Sequence, residues 1–216
     1  MKDRTKERGR LETLLIFPLN GNALEGADCL AKQYALRGFI DDDPSKQGKK
    51  KNGYPVFSRA QFSRDPKAKV LAVPGSPDTY LERKEIIQSL GISRRRFATV
   101  IHPNAHVSCH AQIGRNVLIM AGVVIGANAV IGDHVCILPN TVIHHDSHVG
   151  DWTLLGSHVT IAGRVTIGEN CYLGSASSVR QDIRIGHGTM VGMASNVVRS
   201  LPSRSKVAGN PARSMT

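Results

Sequence analysis

Isoleucine returns at every sixth position in the stretch Ile119-Met-Ala-Gly-Val-Val-Ile125-Gly-Ala-Asn-Ala-Val-Ile131-Gly-Asp-His-Val-Cys-Ile137. The spacing continues in both directions without a slip, and all sixteen positions are aliphatic. Aliphatic residues fill roughly a third of ordinary chains, so this run does not arise by chance. The positions are Val107, Ile113, Ile119, Ile125, Ile131, Ile137, Ile143, Val149, Leu155, Ile161, Ile167, Leu173, Val179, Ile185, Val191 and Val197.

A period of six excludes an amphipathic helix, whose apolar face repeats every 3.6 residues. It fits a short strand and a turn, because the residue two places earlier, such as Val123 or Ala129, is always small or β-branched and shares the same strand face. Three units close a coil of about eighteen residues, and stacked coils form a parallel β-helix. Glycine follows the aliphatic residue at nine of the sixteen steps, for example Gly126 and Gly150, which predicts turns with positive φ.

The 216-residue chain carries a net charge of +11, concentrated partly in residues 1–10 and in Lys49–Lys51. We expect a solvated basic tail at 1–10 and a surface that suits anionic small molecules. No motif for reading nucleic acid is present, and no apolar run is long enough to insert into a membrane. Four cysteines without a CxxC pair, and no signal-peptide pattern, indicate a cytoplasmic protein with reduced thiols.

Residues 11–103 alternate between strand and helix patterns, which predicts a small Rossmann-like α/β domain. It precedes the β-helix at 104–200 and a C-terminal segment at 201–216. Gly21 in the first strand-to-helix turn and Asp41 after the second strand have the spacing of a nucleotide site, with phosphate at the helix N-terminus and ribose on the carboxylate. The predicted strands are 13–17, 38–41, 70–73 and 97–101, the turn is 20–23, and the helices are 24–36 and 78–90, the latter capped by Ser76 or Asp78.

Over residues 12–213 the chain resembles the sialic-acid O-acetyltransferases and amino-sugar N-acetyltransferases. The resemblance implies a left-handed β-helix, acetyl-CoA as co-substrate, a sugar or nucleotide-sugar acceptor, and a bacterial cytoplasmic homotrimer with active sites between subunits. The segments that carry it are Phe39-Ile-Asp-Asp42, Val73-Pro-Gly-Ser76 with Arg83, Phe97-Ala-Thr-Val-Ile-His-Pro103, Thr141-Val-Ile-His-His-Asp146, Ile161-Ala-Gly-Arg-Val-Thr-Ile-Gly168 and Val207-Ala-Gly-Asn-Pro-Ala-Arg213.

The resemblance assigns the general base to His145, with Asp146 orienting its ring; His144 is the alternative base. Histidine titrates in the range that proton removal at neutral pH requires. Gly163 follows His145 by eighteen residues, so it should lie about 4.8 Å away on the next coil. We expect its N–H to stabilise the oxyanion that forms on the acetyl group.

The resemblance also implies binding residues. Leu154 occupies the position of a second histidine that contacts acetyl-CoA in relatives, so His158 is a candidate to replace it. The loop Leu19-Asn-Gly-Asn-Ala-Leu24 departs from the family's Gly-x-x-Gly-x-Gly, which leaves the acceptor open. The implied acetyl-CoA contacts are His158, Gly163, Gly174, Ser175, Gly192, Met193, Lys206 and Arg213, and the implied acceptor contacts are Gly21, Asn22, Asp41, Asp42, Gly75 and Arg83.

Several functions remain open from the sequence. N-acetylation of a nucleotide-linked amino sugar and O-acetylation of a sugar hydroxyl need the same dyad. A non-catalytic β-helix scaffold, a zinc-dependent hexapeptide protein and a nicotinamide-dependent enzyme are further alternatives. We expect no metal, because His144, His145 and His148 do not converge in β structure, and the glycine fingerprint for a dinucleotide is incomplete.

Overall fold

The computed structural model describes residues 11–215, so the predicted tail at 1–10 lies outside the described residues. The first part of the chain is an α/β unit around a five-stranded sheet of order β3-β4-β2-β1-β5. Its strands are β1 (Thr13–Phe17), β2 (Ala35–Ile40), β3 (Lys50–Lys51), β4 (Tyr54–Phe57) and β5 (Lys69–Ala72). Its helices are α1 (Gly21–Asp28), α2 (Gln61–Arg64) and α3 (Arg83–Gln88), with 3-10 turns at Tyr80–Glu82 and Arg94–Arg96.

Strands β4, β2, β1 and β5 run parallel, and only the β3–β4 pair is antiparallel. The central strand β1 is buried from Leu14 to Phe17, which explains its uninterrupted apolar sequence. The sheet therefore points the carboxyl ends of β1, β2 and β5 toward one edge.

Several element boundaries predicted for this unit were wrong. Helix α1 begins at Gly21, inside the predicted turn, because the Asn20 side chain accepts a hydrogen bond from the Ala23 N–H and caps it. The predicted helix 78–90 divides into a 3-10 turn and α3, and neither has a side-chain cap. The predicted strand 97–101 is reduced to β6 (Val100–Ile101), and the β3–β4 hairpin was missed because its lysines gave no apolar signal.

The second part of the chain is a stack of coils made of very short parallel strands. The sixteen aliphatic residues predicted to point inward are the last residues of β7 to β22, which confirms the six-residue repeat. The strands are β7 (His106–Val107), β8 (Gln112–Ile113), β9 (Leu118–Ile119), β10 (Val124–Ile125), β11 (Val130–Ile131), β12 (Cys136–Ile137), β13 (Val142–Ile143), β14 (His148–Val149), β15 (Leu154–Leu155), β16 (Thr160–Ile161), β17 (Thr166–Ile167), β18 (Tyr172–Leu173), β19 (Ser178–Val179), β20 (Arg184–Ile185), β21 (Met190–Val191), β22 (Asn196–Val197), β23 (Lys206–Ala208) and β24 (Arg213–Ser214).

These strands form three sheets, one on each face of the coil. The first face contains β7, β10, β13, β16, β19 and β22, and the second contains β8, β11, β14, β17 and β20. The third face contains β6, β9, β12, β15, β18, β21, β23 and β24. Between β6 and β22, paired residues are eighteen positions apart, as Val124 is from Val142 and Val142 from Thr160, whereas Met190 of β21 pairs with Lys206 of β23, sixteen positions later. The eighteen-residue coil predicted from the sequence is therefore present.

Polar residues inside the coil tie neighbouring coils together. The Thr141 hydroxyl donates to the Gly156 carbonyl and accepts from the Val159 N–H. Ser147 makes the corresponding pair of bonds to Ala162 and Val165. The hydroxyls of Thr141 and Ser147 are thus satisfied by the next coil within an otherwise aliphatic interior, whereas the buried Ser177 Oγ has no hydrogen-bond partner among residues 11–215.

The glycines after the aliphatic positions have a role that differs from the prediction. Positive φ values do not occur there but two residues later, at positions such as Asn128 and Asp146 with φ of 59° and 58°. The glycines are needed because coils approach closely: a Cβ on Gly150 would lie 2.6 Å from the Gly168 carbonyl carbon, and one on Gly126 would lie 2.8 Å from the His145 nitrogen.

The α/β unit packs against the third face of the coil. Leu118, Cys136 and Leu154, which point outward from that face, share one apolar cluster with Leu14 and Ile16. The buried Asn116 side chain adds hydrogen bonds to this interface, because it accepts from the Ala72 N–H and donates to the Ala72 carbonyl. The two parts are thus held in one arrangement by an apolar interface and by hydrogen bonds to β5.

We predict that Gly150→Ala destabilises the protein by about 1–3 kcal/mol, because the added methyl forces adjacent coil backbones apart. Gly21→Ala is the matched control, since a Cβ at Gly21 meets no atom within 4 Å. Urea unfolding of both variants measures the difference, and equal free energies of unfolding would contradict this account of the repeat glycines.

Candidate functional site

The corner between the first and second faces carries the predicted catalytic residues. We call the stacked turns 126–128, 144–146, 162–164 and 180–182 the His145 corner. Asn128, Asp146, Arg164 and Asp182 occupy equivalent places on successive coils, with φ between 58° and 63°. Backbone bonds such as that from the Asp146 N–H to the Ala127 carbonyl fix each turn against the previous one.

His145 and Asp146 form a close pair. The His145 Nδ1 lies 2.6 Å from the Asp146 Oδ2, and each side chain is about half exposed. Since a carboxylate can only accept, Nδ1 carries the proton, and Nε2 of the neutral ring has a free lone pair. The hydrogen bond from His145, followed by one from Asn128, lowers the pKa of Asp146 from its ordinary value. Asp146 is therefore held as a carboxylate that orients the imidazole.

Glycines lie on the neighbouring coils on both sides of His145. A Cβ on Gly163 would lie 2.8 Å from the His145 Nε2, and one on Gly126 would strike the His145 backbone nitrogen. Gly163 lies against the imidazole as the eighteen-residue spacing predicts, and its lack of a side chain is what admits the ring.

The Gly163 N–H is available for a ligand. At equivalent turn positions on other corners, the N–H donates to a side chain one coil later, as Asp133 does to Asp151 and Ser157 does to Ser175. Among residues 11–215, the Gly163 N–H has no such acceptor. His145 Nε2, a base with a free lone pair, thus lies beside Gly163, whose N–H is unpaired. This arrangement suits the attack of a nucleophile on a carbonyl group: Nε2 can take the proton of the nucleophile, and the N–H can stabilise the negative carbonyl oxygen.

Five of the other residues predicted to bind acetyl-CoA lie on a different corner. His158, Gly174, Ser175, Gly192 and Met193 stack between the third and first faces. Met193 is 70% exposed, and His158 Nε2 lies 3.4 Å from the Asn140 Nδ2. These five residues share one corner of the coil, but one chain does not bring that corner to His145.

Lys206 and Arg213 lie at the C-terminal end of the third face, on the antiparallel strands β23 and β24. Both side chains are exposed. The Ala208 Cβ of β23 lies 3.0 Å from the place that a Cβ on Gly192 would occupy, so these two cations are close to the corner that carries Met193.

Predicted acceptor residues gather at the edge where β1, β2 and β5 end. Gly21 and Asn22 open α1, Asp41 and Asp42 follow β2, and Gly75 follows β5 with φ of 111°. The side chain of Asn20, which the sequence analysis treated only as part of a turn, donates to the Val73 carbonyl and ties two of these loops together. Its position as an N-cap was the signal that could have revealed it.

The two acidic residues at this edge differ in their surroundings. Asp41 is buried; its carboxylate accepts from the Leu19 and Asp43 N–H groups and pairs with Lys46 at 3.0 Å. Asp42 is exposed and forms a bidentate pair with Arg59. Lys46 and Arg59 were missed, since a single exposed cation gives no sequence pattern; each is paired with one of these carboxylates, and Lys46 also donates to the Leu19 carbonyl.

Arg83 was predicted to contact the acceptor, and the structure corrects this. Its side chain is fully buried and donates to the carbonyls of Pro74, His134 and Trp152. Pro74 belongs to the α/β unit and the other two residues to the coil, so Arg83 joins the two parts and positions the Gly75 loop rather than meeting a ligand.

The other chemistry considered from the sequence finds little support in the structure. Burial raises the pKa of Cys136 to about 12 and that of Cys171 to about 11, so both thiols stay protonated. Within residues 11–215, His, Cys, Asp and Glu form no group of three or more that could hold a metal ion. No helix in the same range has the length and apolar character needed to cross a bilayer.

Comparison with known proteins extends these observations. Residues 97–191 match the family described as the GMPPB C-terminal domain. No curated protein sequence matches the chain significantly. A variant of perosamine N-acetyltransferase from Caulobacter crescentus, solved with CoA and GDP-perosamine, has a TM-score of 0.84 at 27% identity, with 95% of this chain and 97% of that chain covered.

Two further solved structures show the same arrangement of an α/β unit and a coil. The acetyltransferase domain of PglB from Neisseria gonorrhoeae, in complex with acetyl coenzyme A, has a TM-score of 0.82 at 25% identity and covers 96% of this chain and 100% of that chain. WeeI from Acinetobacter baumannii shares the fold with a TM-score of 0.80 at 23% identity, with 95% and 100% covered.

We predict that Arg83→Met lowers the free energy of unfolding by about 3 kcal/mol or more, because three buried carbonyls lose their donor. Arg95→Met is the control, since the Arg95 side chain is exposed. Chemical denaturation compares the two, and a loss at Arg83 no larger than that at Arg95 would show that the junction does not depend on this side chain.

Proposed function

We propose that this chain, which belongs to the hexapeptide-repeat sugar acetyltransferases, transfers the acetyl group of acetyl-CoA to the amine of a nucleotide-linked amino sugar. The observation that carries the proposal is the oriented His145–Asp146 pair with Gly163 against its Nε2. Support also comes from the similarity to perosamine N-acetyltransferase, whose structure holds CoA and GDP-perosamine.

In the proposed reaction, the sugar amine attacks the thioester carbonyl carbon and forms the new C–N bond. His145 Nε2 takes the proton that the amine loses, while the Asp146 carboxylate stabilises the imidazolium that results. The carbonyl oxygen becomes negative and accepts from the Gly163 N–H. When the intermediate collapses, the C–S bond breaks, the CoA sulfur leaves with the proton from His145, and the acetylated sugar remains.

The separation of the two groups of residues supports a site formed between chains. In a trimer packed around the first face, the His145 corner of one chain would meet the corner of its neighbour that carries Met193. CoA would then lie between them, with Gly174, Ser175 and Gly192 leaving room for its pantetheine arm, His158 on the same wall, and Lys206 and Arg213 near its phosphates. We propose a homotrimer on this ground.

The acceptor would be bound by the α/β unit, which we propose acts as a Rossmann-like nucleotide module. The α1 N-terminus with Gly21 and Asn22 suits a phosphate, and the ion pairs Lys46–Asp41 and Arg59–Asp42 lie at the same edge of the sheet. Asp42 and Gly75 border the same edge. Asp41, whose oxygens are already engaged, would shape the loop rather than bind ribose.

We further propose a cytoplasmic location, since the four cysteines are free. An acceptor screen that follows thiol release from acetyl-CoA, with amino sugars and hydroxyl sugars that are free or linked to GDP, UDP or dTDP, tests the proposed function. Turnover confined to hydroxyl acceptors would replace N-acetylation by O-acetylation, and no turnover on any acceptor would contradict the proposal.

We predict that His145→Ala lowers kcat at least about 100-fold through loss of the general base. His144→Ala is the matched control, because its exposed ring lies beside the pair without contacting Asp146. Steady-state thiol release measures both variants. Activity of His145→Ala within a few-fold of wild type, or an equal loss at His144, would refute the assignment.

We also predict a mass in solution of three chains and complementation between two inactive variants. Met193→Glu places a carboxylate on the proposed CoA wall, and His145→Ala removes the base, so mixed trimers would regain sites in which both native corners meet. Light scattering gives the mass, and assays of co-refolded variants measure the recovery. A fully active monomer, or no recovery in trimers shown to be mixed, would exclude a shared site.

A further inference from the structure

A column of four polar side chains runs along the His145 corner, with one member on each successive coil. Asn128 Nδ2 donates to Asp146 Oδ1 at 2.9 Å, and the other oxygen of Asp146 meets His145. Arg164 donates through Nε and Nη2 to the two oxygens of Asp182, at 2.6 and 3.0 Å. The column therefore divides into two closed pairs, Asn128 with Asp146 and Arg164 with Asp182.

Arg164 stands between two carboxylates, each eighteen residues away along the chain. Asp146 lies one coil before it and Asp182 one coil after it, and all three share the same left-handed backbone conformation. Both carboxylates are thus within reach of one guanidinium. In the structure Arg164 donates its hydrogen bonds to Asp182. The hydrogen-bond partners of Asp146 are therefore Asn128 and His145.

The charged groups around His145 and Asp146 show why it matters which carboxylate Arg164 binds. The preceding coil offers Asn128, which is neutral, and His145 has His144 beside it. The following coil contributes Arg164, and the coil after that contributes Arg180 and Asp182. Arg164 is therefore the one cation of the adjacent described coils that could displace His145 as the partner of Asp146.

We propose that Asp182 is a positioning residue: it holds Arg164 in a bidentate pair and thereby reserves the Asp146 carboxylate for His145. The proposal rests on the proposed function for its effect on rate but not for its geometry. Without Asp182, the guanidinium turns to Asp146, forms the same bidentate arrangement there, and weakens the bond that orients the imidazole.

The titration behaviour of the two carboxylates agrees with this division. Hydrogen bonds from Arg164 lower the pKa of Asp182, whereas the pKa of Asp146 is lowered mainly by His145 and Asn128, with Arg164 contributing least. Moving Arg164 to Asp146 would lower the pKa of that carboxylate further, because a cation would replace a neutral imidazole as its main partner.

Three variants test the proposal: Asp182→Asn, Arg164→Gln and the double variant. We expect Asp182→Asn to lower kcat about 10-fold with little change in either KM, since the base remains but loses its orientation. Arg164→Gln and the double variant should both stay within about threefold of wild type, because neither contains a guanidinium that can compete for Asp146.

This pattern separates positioning from a structural role of the ion pair, because both single variants break the pair but only one is expected to lose rate. Equal losses in the two single variants, a wild-type rate in Asp182→Asn, or a double variant no better than Asp182→Asn would each overturn the proposal.

A second measurement does not require any acceptor to be known. Carbon-13 NMR titration of the Asp146 carboxyl should show a lower pKa in Asp182→Asn than in wild type, and a return to the wild-type value in the double variant. If the pKa of Asp146 is unchanged in Asp182→Asn, the positioning role of Asp182 is wrong, whatever the acceptor screen shows. If the pKa shifts as expected but no acceptor is turned over, only the proposed function is contradicted.

Discussion

The register of backbone hydrogen bonds between coils is the constraint on which the rest of the structure depends. In β6 to β19, the first N–H of each strand donates to the carbonyl seventeen residues later, as Val124 does to Thr141 and Val142 to Val159. Every residue is thereby placed beside residues eighteen positions away. Side chains form columns, and a column acquires a function when its members have complementary chemistry. The His145 corner is one such column, and the corner with Met193 is another.

The same constraint explains why some features could be predicted from the sequence and others could not. The inward aliphatic residues repeat every six positions, so the coil, its three faces and the contact between His145 and Gly163 followed from counting. The α/β unit has no such period. Its helix boundaries depend on single contacts, such as the Asn20 cap, and strand β3 of its hairpin consists of two exposed lysines that carry no apolar pattern.

The prediction about turn glycines was wrong for a physical reason that concerns distance rather than torsion. Asn, Asp, Arg and even Trp occupy the left-handed positions of this coil, while glycine is required where two backbones nearly touch. Arg83 illustrates a second limit. The family resemblance of Val73–Ser76 with Arg83 implied a ligand contact, but only three-dimensional packing shows that Arg83 satisfies carbonyls from both parts of the chain.

The six-residue spacing of aliphatic residues runs without interruption from Val107 to Val197, and this also restricts how the protein can change over evolution. Inserting one residue inside a strand would turn every later aliphatic residue out of the interior and move every later column to another corner. Length changes compatible with the coil are therefore whole coils, additions at the ends of the stack, or loops that bulge outward from a turn. New specificity can also arise by exchanging side chains within a column, or by remodelling the loops of the α/β unit, where no shared period limits their length.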